Sequence, residues 1–124
     1  MNPAATLTDL AAGLRAGDFS SVELVRYYLD RIERLDIHYN SFITVTRERA
    51  LVQAAAADVS LHAGNAGPLT GLPIAHKDIF CTRGVRTTCG SRMLDNFVAP
   101  YDATAVARLV TAGMVMLGKT NMDE

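Results

Sequence analysis

The chain has 124 residues, 12 of them Lys or Arg and 13 Asp or Glu, and 49% are hydrophobic. That is one domain's worth of ordinary globular composition, enough to bury a modest core. A net charge of −1, with no cluster of Lys or Arg, excludes an electrostatic footprint for nucleic acid, so any contact with RNA needs help from another chain.

Thr6-Leu7-Thr8-Asp9 has the T-x-x-D form of an N-terminal cap, with Leu7, Leu10 and Leu14 at helical spacing behind it and Gly17 as a stop. Ser20-Ser21-Val22-Glu23 is a second capping box. Val22, Val25, Leu29, Ile32 and Leu35, with Tyr28, then line one face of a long helix. Phe42 to Val45 is short and β-prone, and Arg47 to about Leu61 favours a helix on propensity. HAGNAGPLTG (62–71) reads as a loop.

GLPIAHKDIF (71–80) reads as a strand, and Val85 to Thr88 as a further extended piece. Asp102 is placed to cap a helix from Ala103 to Ala112, with Val106, Leu109 and Val110 on its inner side. Met114 to Leu117 then reads as a short buried strand. The expectation is an α/β fold with a helical segment at 1–70 and an α/β layer at 71–124. Because GKTNMDE stops just after an apparent strand, the chain is expected to be the N-terminal piece of something longer.

The start, MNPAATLTDL, lacks a basic n-region followed by an apolar stretch, and no apolar run reaches the length of a membrane span. Free thiols without an export signal point to the cytoplasm. Cys81 and Cys89 lie too far apart for C-x-x-C spacing, and His38, His62 and His76 are scattered. No metal or cofactor is expected on this chain.

GMVMLGKT (113–120) spells the G-x-x-x-x-G-K-T pattern of a phosphate-binding loop. That loop requires a strand before its first glycine and a helix opening at the Lys-Thr pair. Here Gly113 follows a helix, and Met-Val-Met-Leu suits a buried strand rather than a cradle of free amides. The segment is therefore read as a helix stop, a strand and the turn after it.

Lys77 is the more telling lysine. Alternation along 71–80 puts Ala75, Lys77 and Ile79 on one face and His76 on the other. A lysine in such a run has a partner or a task. On pattern alone the favoured reading is a salt bridge or a snorkelling amine. The functional alternative is a desolvated amine able to act as a base. His76 and Asp78 read as packed or structural groups. TTCGS (87–91) suits either a ligand-facing loop or a tight turn, and Cys89 has no base beside it.

GLPIAHKDIF, TTCGSRMLDNFVAPYDATAVARLVTAG and LGKTNMDE, preceded by YNSFITV (39–45), occur together in order, and with them the chain resembles the amidase-signature family. Within that family it is most similar to the glutamine-hydrolysing subunits of tRNA-dependent amidotransferases. The resemblance runs from the first helix to the last residue. It implies a mixed-sheet amidase core, incomplete here, and a Ser–cis-Ser–Lys triad in which Lys77 is the lysine. Both triad serines are expected in a Gly/Ser-rich stretch downstream. Ser20, Ser21, Ser41, Ser60 and Ser91 lie in no such stretch.

The resemblance further implies glutamine as substrate and partner subunits B and C. ATP and Mg²⁺ would be used through the partner subunit, and misacylated tRNA reached through the complex. The rival readings are another amidase-signature hydrolase of small amides, a non-catalytic interaction module and, weakest, a P-loop NTPase. With strand edges left open, the α/β part is expected to be less protected than the helical part. With one of three triad residues present, these 124 residues alone are expected not to hydrolyse glutamine. Measured turnover by the purified chain that vanished in Lys77→Ala would contradict this.

Overall fold

The computed structural model describes residues 1–123; Glu124, the last residue of the NMDE segment, lies outside the described residues. Helix α1 (Leu7–Ala16) opens on the expected capping box between Thr6 and Asp9 and stops at Gly17. Helix α2 (Ser21–Tyr39) opens on the Ser20–Glu23 box. Its first amides are held twice over, because the Asp58 carboxylate accepts from Ser21 N at 2.6 Å and Val22 N at 3.1 Å. A carboxylate there complements the positive end of the helix.

Strand β1 (Phe42–Val45) leads into helix α3 (Arg47–His62), whose buried face is only Ala50, Ala54 and Ala57. Small side chains let α3 lie close, and Ala50 and Ala54 pack with Val25 and Leu29 of α2 and with Val115 and Leu117. A second cluster joins Leu10 and Leu14 of α1 to Leu24, Leu72 and Met114. No described helix is long and apolar enough to cross a membrane.

Strand β2 (Pro73–Lys77), helix α4 (Thr104–Thr111) and strand β3 (Val115–Thr120) follow. The sheet order is β1-β3-β2, with β1 antiparallel and β2 parallel to β3. Strand pairing therefore crosses residue 70, tying the first segment to the second. The open-edge expectation applies among the described residues to β1 and β2, whereas β3 is enclosed between them.

Four local expectations are corrected. Strand β3 runs through Thr120, so Gly118, Lys119 and Thr120 are paired strand residues rather than a turn. The strand expected over 71–80 ends at Lys77, where Phe80 N donates to Lys77 O at 3.0 Å and turns the chain. Asp102 does not cap α4; its carboxylate accepts from Arg83 N at 2.7 Å, and the N-cap Ala103 has no side chain to bond. Val110 is exposed, leaving Val106 as the buried residue of α4 with Leu109 partly covered. The extended piece expected at 85–88 is present as a short antiparallel pairing: Arg86 bridges Val98, Thr87 N donates to Phe97 O at 2.9 Å and Ala99 N donates to Val85 O at 3.2 Å.

Both glycines of the G-x-x-x-x-G-K-T pattern have packing reasons. Gly113 has a φ of 84° and lies against Thr70. At Gly118 a Cβ would stand 2.3 Å from Thr44 O, because the paired strand β1 comes that close beside it. We expect Gly118→Ala to destabilise the chain by about 1–3 kcal/mol, the cost of overpacking a site whose obstacle is backbone. Urea unfolding measures this, and an unchanged midpoint would contradict it.

Candidate functional site

Strand β2 delivers Lys77 to the edge of the sheet. His76 is buried and Lys77 partly exposed, the two-faced alternation expected of the strand. Among the described residues the Lys77 amine pairs with one carboxylate, that of Asp123. The Lys77 side chain is 40% exposed and that of Asp123 78% exposed. The hydrogen bond from Lys77 holds the Asp123 carboxyl below its ordinary value of 3.8. In this chain Lys77 is thus an accessible amine in an exposed ion pair, not a desolvated one. A pair in such a setting is weak and exchangeable.

The other charged pair is wholly different. Asp78 and Lys119 are both fully buried. Asp78 Oδ1 lies 3.3 Å from Lys119 Nζ, in ionic contact without the alignment of a hydrogen bond. Lys119 Nζ donates to Phe80 O at 2.7 Å and to Thr87 Oγ1 at 3.0 Å. Asp78 Oδ2 accepts from Thr88 N at 2.9 Å and Thr88 Oγ1 at 2.6 Å. Burial pushes the Lys119 amine below its ordinary value of 10.5, with the Asp78 carboxylate opposing that shift.

TTCGS is divided by this arrangement. Thr87 and Thr88 point inward to the ion pair, while Cys89 is exposed in a left-handed conformation at φ 52°. Gly90 follows at φ 67°, packed on Met122, and Ser91 Oγ accepts from Met93 N. Asp78, which reads from the sequence as structural, is buried with its carboxylate against Lys119 and Thr88, whereas sequence reasoning missed Lys119, whose letters fall inside the phosphate-loop pattern. The signal for it was a lysine two residues beyond a continuous apolar run, a position that calls for a partner when it is buried.

His76 sits opposite Lys119 in the strand register. Its pKa is lowered from 6.5 by burial first, then by the Lys119 charge, with Arg49 adding and Asp102 opposing. The stability this contributes is fully present above 6.5, the unfolded value, and is lost as pH falls through the lower folded value. We therefore expect the urea midpoint to drop as pH is lowered below 6.5, with a shallower drop in His76→Gln. Equal slopes in the two proteins would contradict this.

The amidase family profile matches residues 23–124. The glutamyl-tRNA(Gln) amidotransferase A-subunit of Methylococcus capsulatus is 68% identical over 119 residues, 96% of this chain and 24% of its own length. The protein of the same name from Nitrosococcus oceani is 64% identical over 119 residues, 96% of this chain and 25% of its own. The native peptide amidase of Stenotrophomonas maltophilia superposes with a TM-score of 0.92 at 36% identity, covering 98% of this chain and 26% of its own. An amidase family protein of Bacillus anthracis gives 0.89 at 32% identity, covering 97% and 24%. The chain spans about a quarter of the length of the curated relatives it matches. By profile, identity and fold alike, the chain belongs to the amidase family.

Proposed function

We propose that this chain is the N-terminal part of the glutaminase component of a tRNA-dependent amidotransferase, with Lys77 as the base of its amidase triad. The observation that carries this reading is the identity of 64–68% to proteins of that name across 96% of the chain. The position of Lys77 is compatible with the role. It ends a strand, and among the described residues its amine pairs with an exposed carboxylate that an incoming hydroxyl can displace.

In this reading the two triad serines come from chain beyond residue 124. The neutral Lys77 amine takes the proton of a bridging serine, which takes that of the nucleophilic serine. The serine oxygen attacks the side-chain amide carbon of glutamine, backbone amides stabilise the oxyanion, and ammonia leaves with a proton returned through the relay. Water then cleaves the acyl ester to release glutamate. Subunits B and C complete the assembly, and the ammonia passes to the first of these. On this reading ATP and Mg²⁺ would be held by that partner subunit, not by this chain, and would serve to activate the side-chain carboxylate of a misacylated tRNA in the cytoplasm.

A second reading, a free-standing amidase of small amides, is favoured by the superposition on the peptide amidase. It predicts amide hydrolysis without partner subunits. In the full-length protein assembled with its partners, we expect Lys77→Met to lower glutamine hydrolysis by at least about a hundredfold, the minimum for losing a general base. Amidation of tRNA from added ammonium salt should persist. Retained glutaminase activity in Lys77→Met would contradict the assignment.

A further inference from the structure

The buried Asp78–Lys119 pair takes no part in the chemistry proposed for Lys77, yet both charges are withdrawn from water. Replacing such a pair with apolar groups of similar volume is often neutral or stabilising, so stability alone gives no account of it. Its geometry does. Lys77, Asp78, Ile79 and Phe80 form a tight turn closed by Phe80 N donating to Lys77 O at 3.0 Å. Lys119 Nζ donates to Phe80 O at 2.7 Å and stands 3.3 Å from Asp78 Oδ1, so one amine holds the second and fourth residues of that turn.

The turn is fixed from its other sides as well. Asp78 N donates to Thr120 O and Asp78 O accepts from Cys89 N, each at 3.0 Å. The carboxylate also accepts both Thr88 donors. The first residue of this turn is Lys77, whose side chain among the described residues pairs with the exposed Asp123.

We infer that Lys119 is a positioning residue for Lys77: held by Asp78, it locks the 77–80 turn and so sets the direction in which the Lys77 amine leaves the sheet. This rests on the reading of Lys77 as the base. A base displaced by an ångström loses much of its rate while substrate binding elsewhere is kept, so the signature is a fall in kcat at nearly constant KM.

The test uses the full-length protein with its partner subunits and glutamine as substrate, with wild type and Lys77→Met alongside. Lys119→Met alone strands the Asp78 carboxylate and is expected to lower Tm sharply. The deciding variant is Lys119→Met/Asp78→Asn. It removes both charges, keeps an amide oxygen to accept from Thr88, and leaves Phe80 O unheld. We expect Tm to recover toward wild type, KM to stay within about twofold and kcat to fall about tenfold or more. Thr87→Val, which removes one Lys119 acceptor at nearly constant volume, should lower kcat less, with KM unchanged. Wild-type kcat in the folded double variant would overturn the positioning role, provided Lys77→Met is inactive. Should the double variant not fold, wild-type kcat in Thr87→Val does so instead. Activity in Lys77→Met would overturn the base assignment and this inference together.

Discussion

The structure depends on the burial of strand β3. Residues Val115 to Lys119 are buried without a break, so every backbone amide and carbonyl there needs a partner inside the protein. Strand β2 supplies partners along one edge and β1 along the other. Where β1 pairing has not yet begun, Gln53 Oε1 from α3 accepts from Met116 N and Thr46 Oγ1 donates to Met116 O. The alanine face of α3 and the apolar face of α2 then close over Val115 and Leu117. Gly118 is required because the paired strand β1 lies too close there for a side chain. Lys119, next in line, is buried with it and needs a buried acid.

That demand reaches the candidate site. The acid is Asp78, directly after Lys77, and the amine it holds also grips the turn that Lys77 begins. Two lysines one strand apart are thus placed in opposite conditions by the same sheet. One is sealed among a carboxylate, a hydroxyl and a carbonyl, and the other stands at the edge with an exchangeable partner. In the role proposed for Lys77 an amine must release a proton and take it up again, which an exchangeable partner allows. A cation fixed in the interior suits holding the frame.

Much of this was legible in the sequence because it is local. Both capping boxes, the glycine stop of α1, the apolar face of α2 and the α/β order follow from spacing that tertiary contacts do not overrule. The failures are where long-range contacts decide. Asp102 has the right offset to cap α4, but Arg83 N, nineteen residues away, takes its carboxylate. Thr120 reads as turn because Gly-Lys-Thr has no β pattern, and only the neighbouring strands hold it extended. Lys77 stood out as a lysine within an apolar, strand-like run, whereas Lys119 was obscured by a familiar string of letters. Its burial depends on Asp78, 41 positions earlier, a pairing that no window of sequence contains.

The central claim is that the sheet presents Lys77, through a turn locked by Lys119, to hydroxyls supplied by the rest of the protein. The most direct measurement is a crystal structure of the full-length protein. The account predicts the 77–80 turn and the Asp78–Lys119 pair as described, with Lys77 Nζ moved from Asp123 to within about 3 Å of a serine hydroxyl. Lys77 still seated on Asp123, with no serine oxygen in reach, would contradict it.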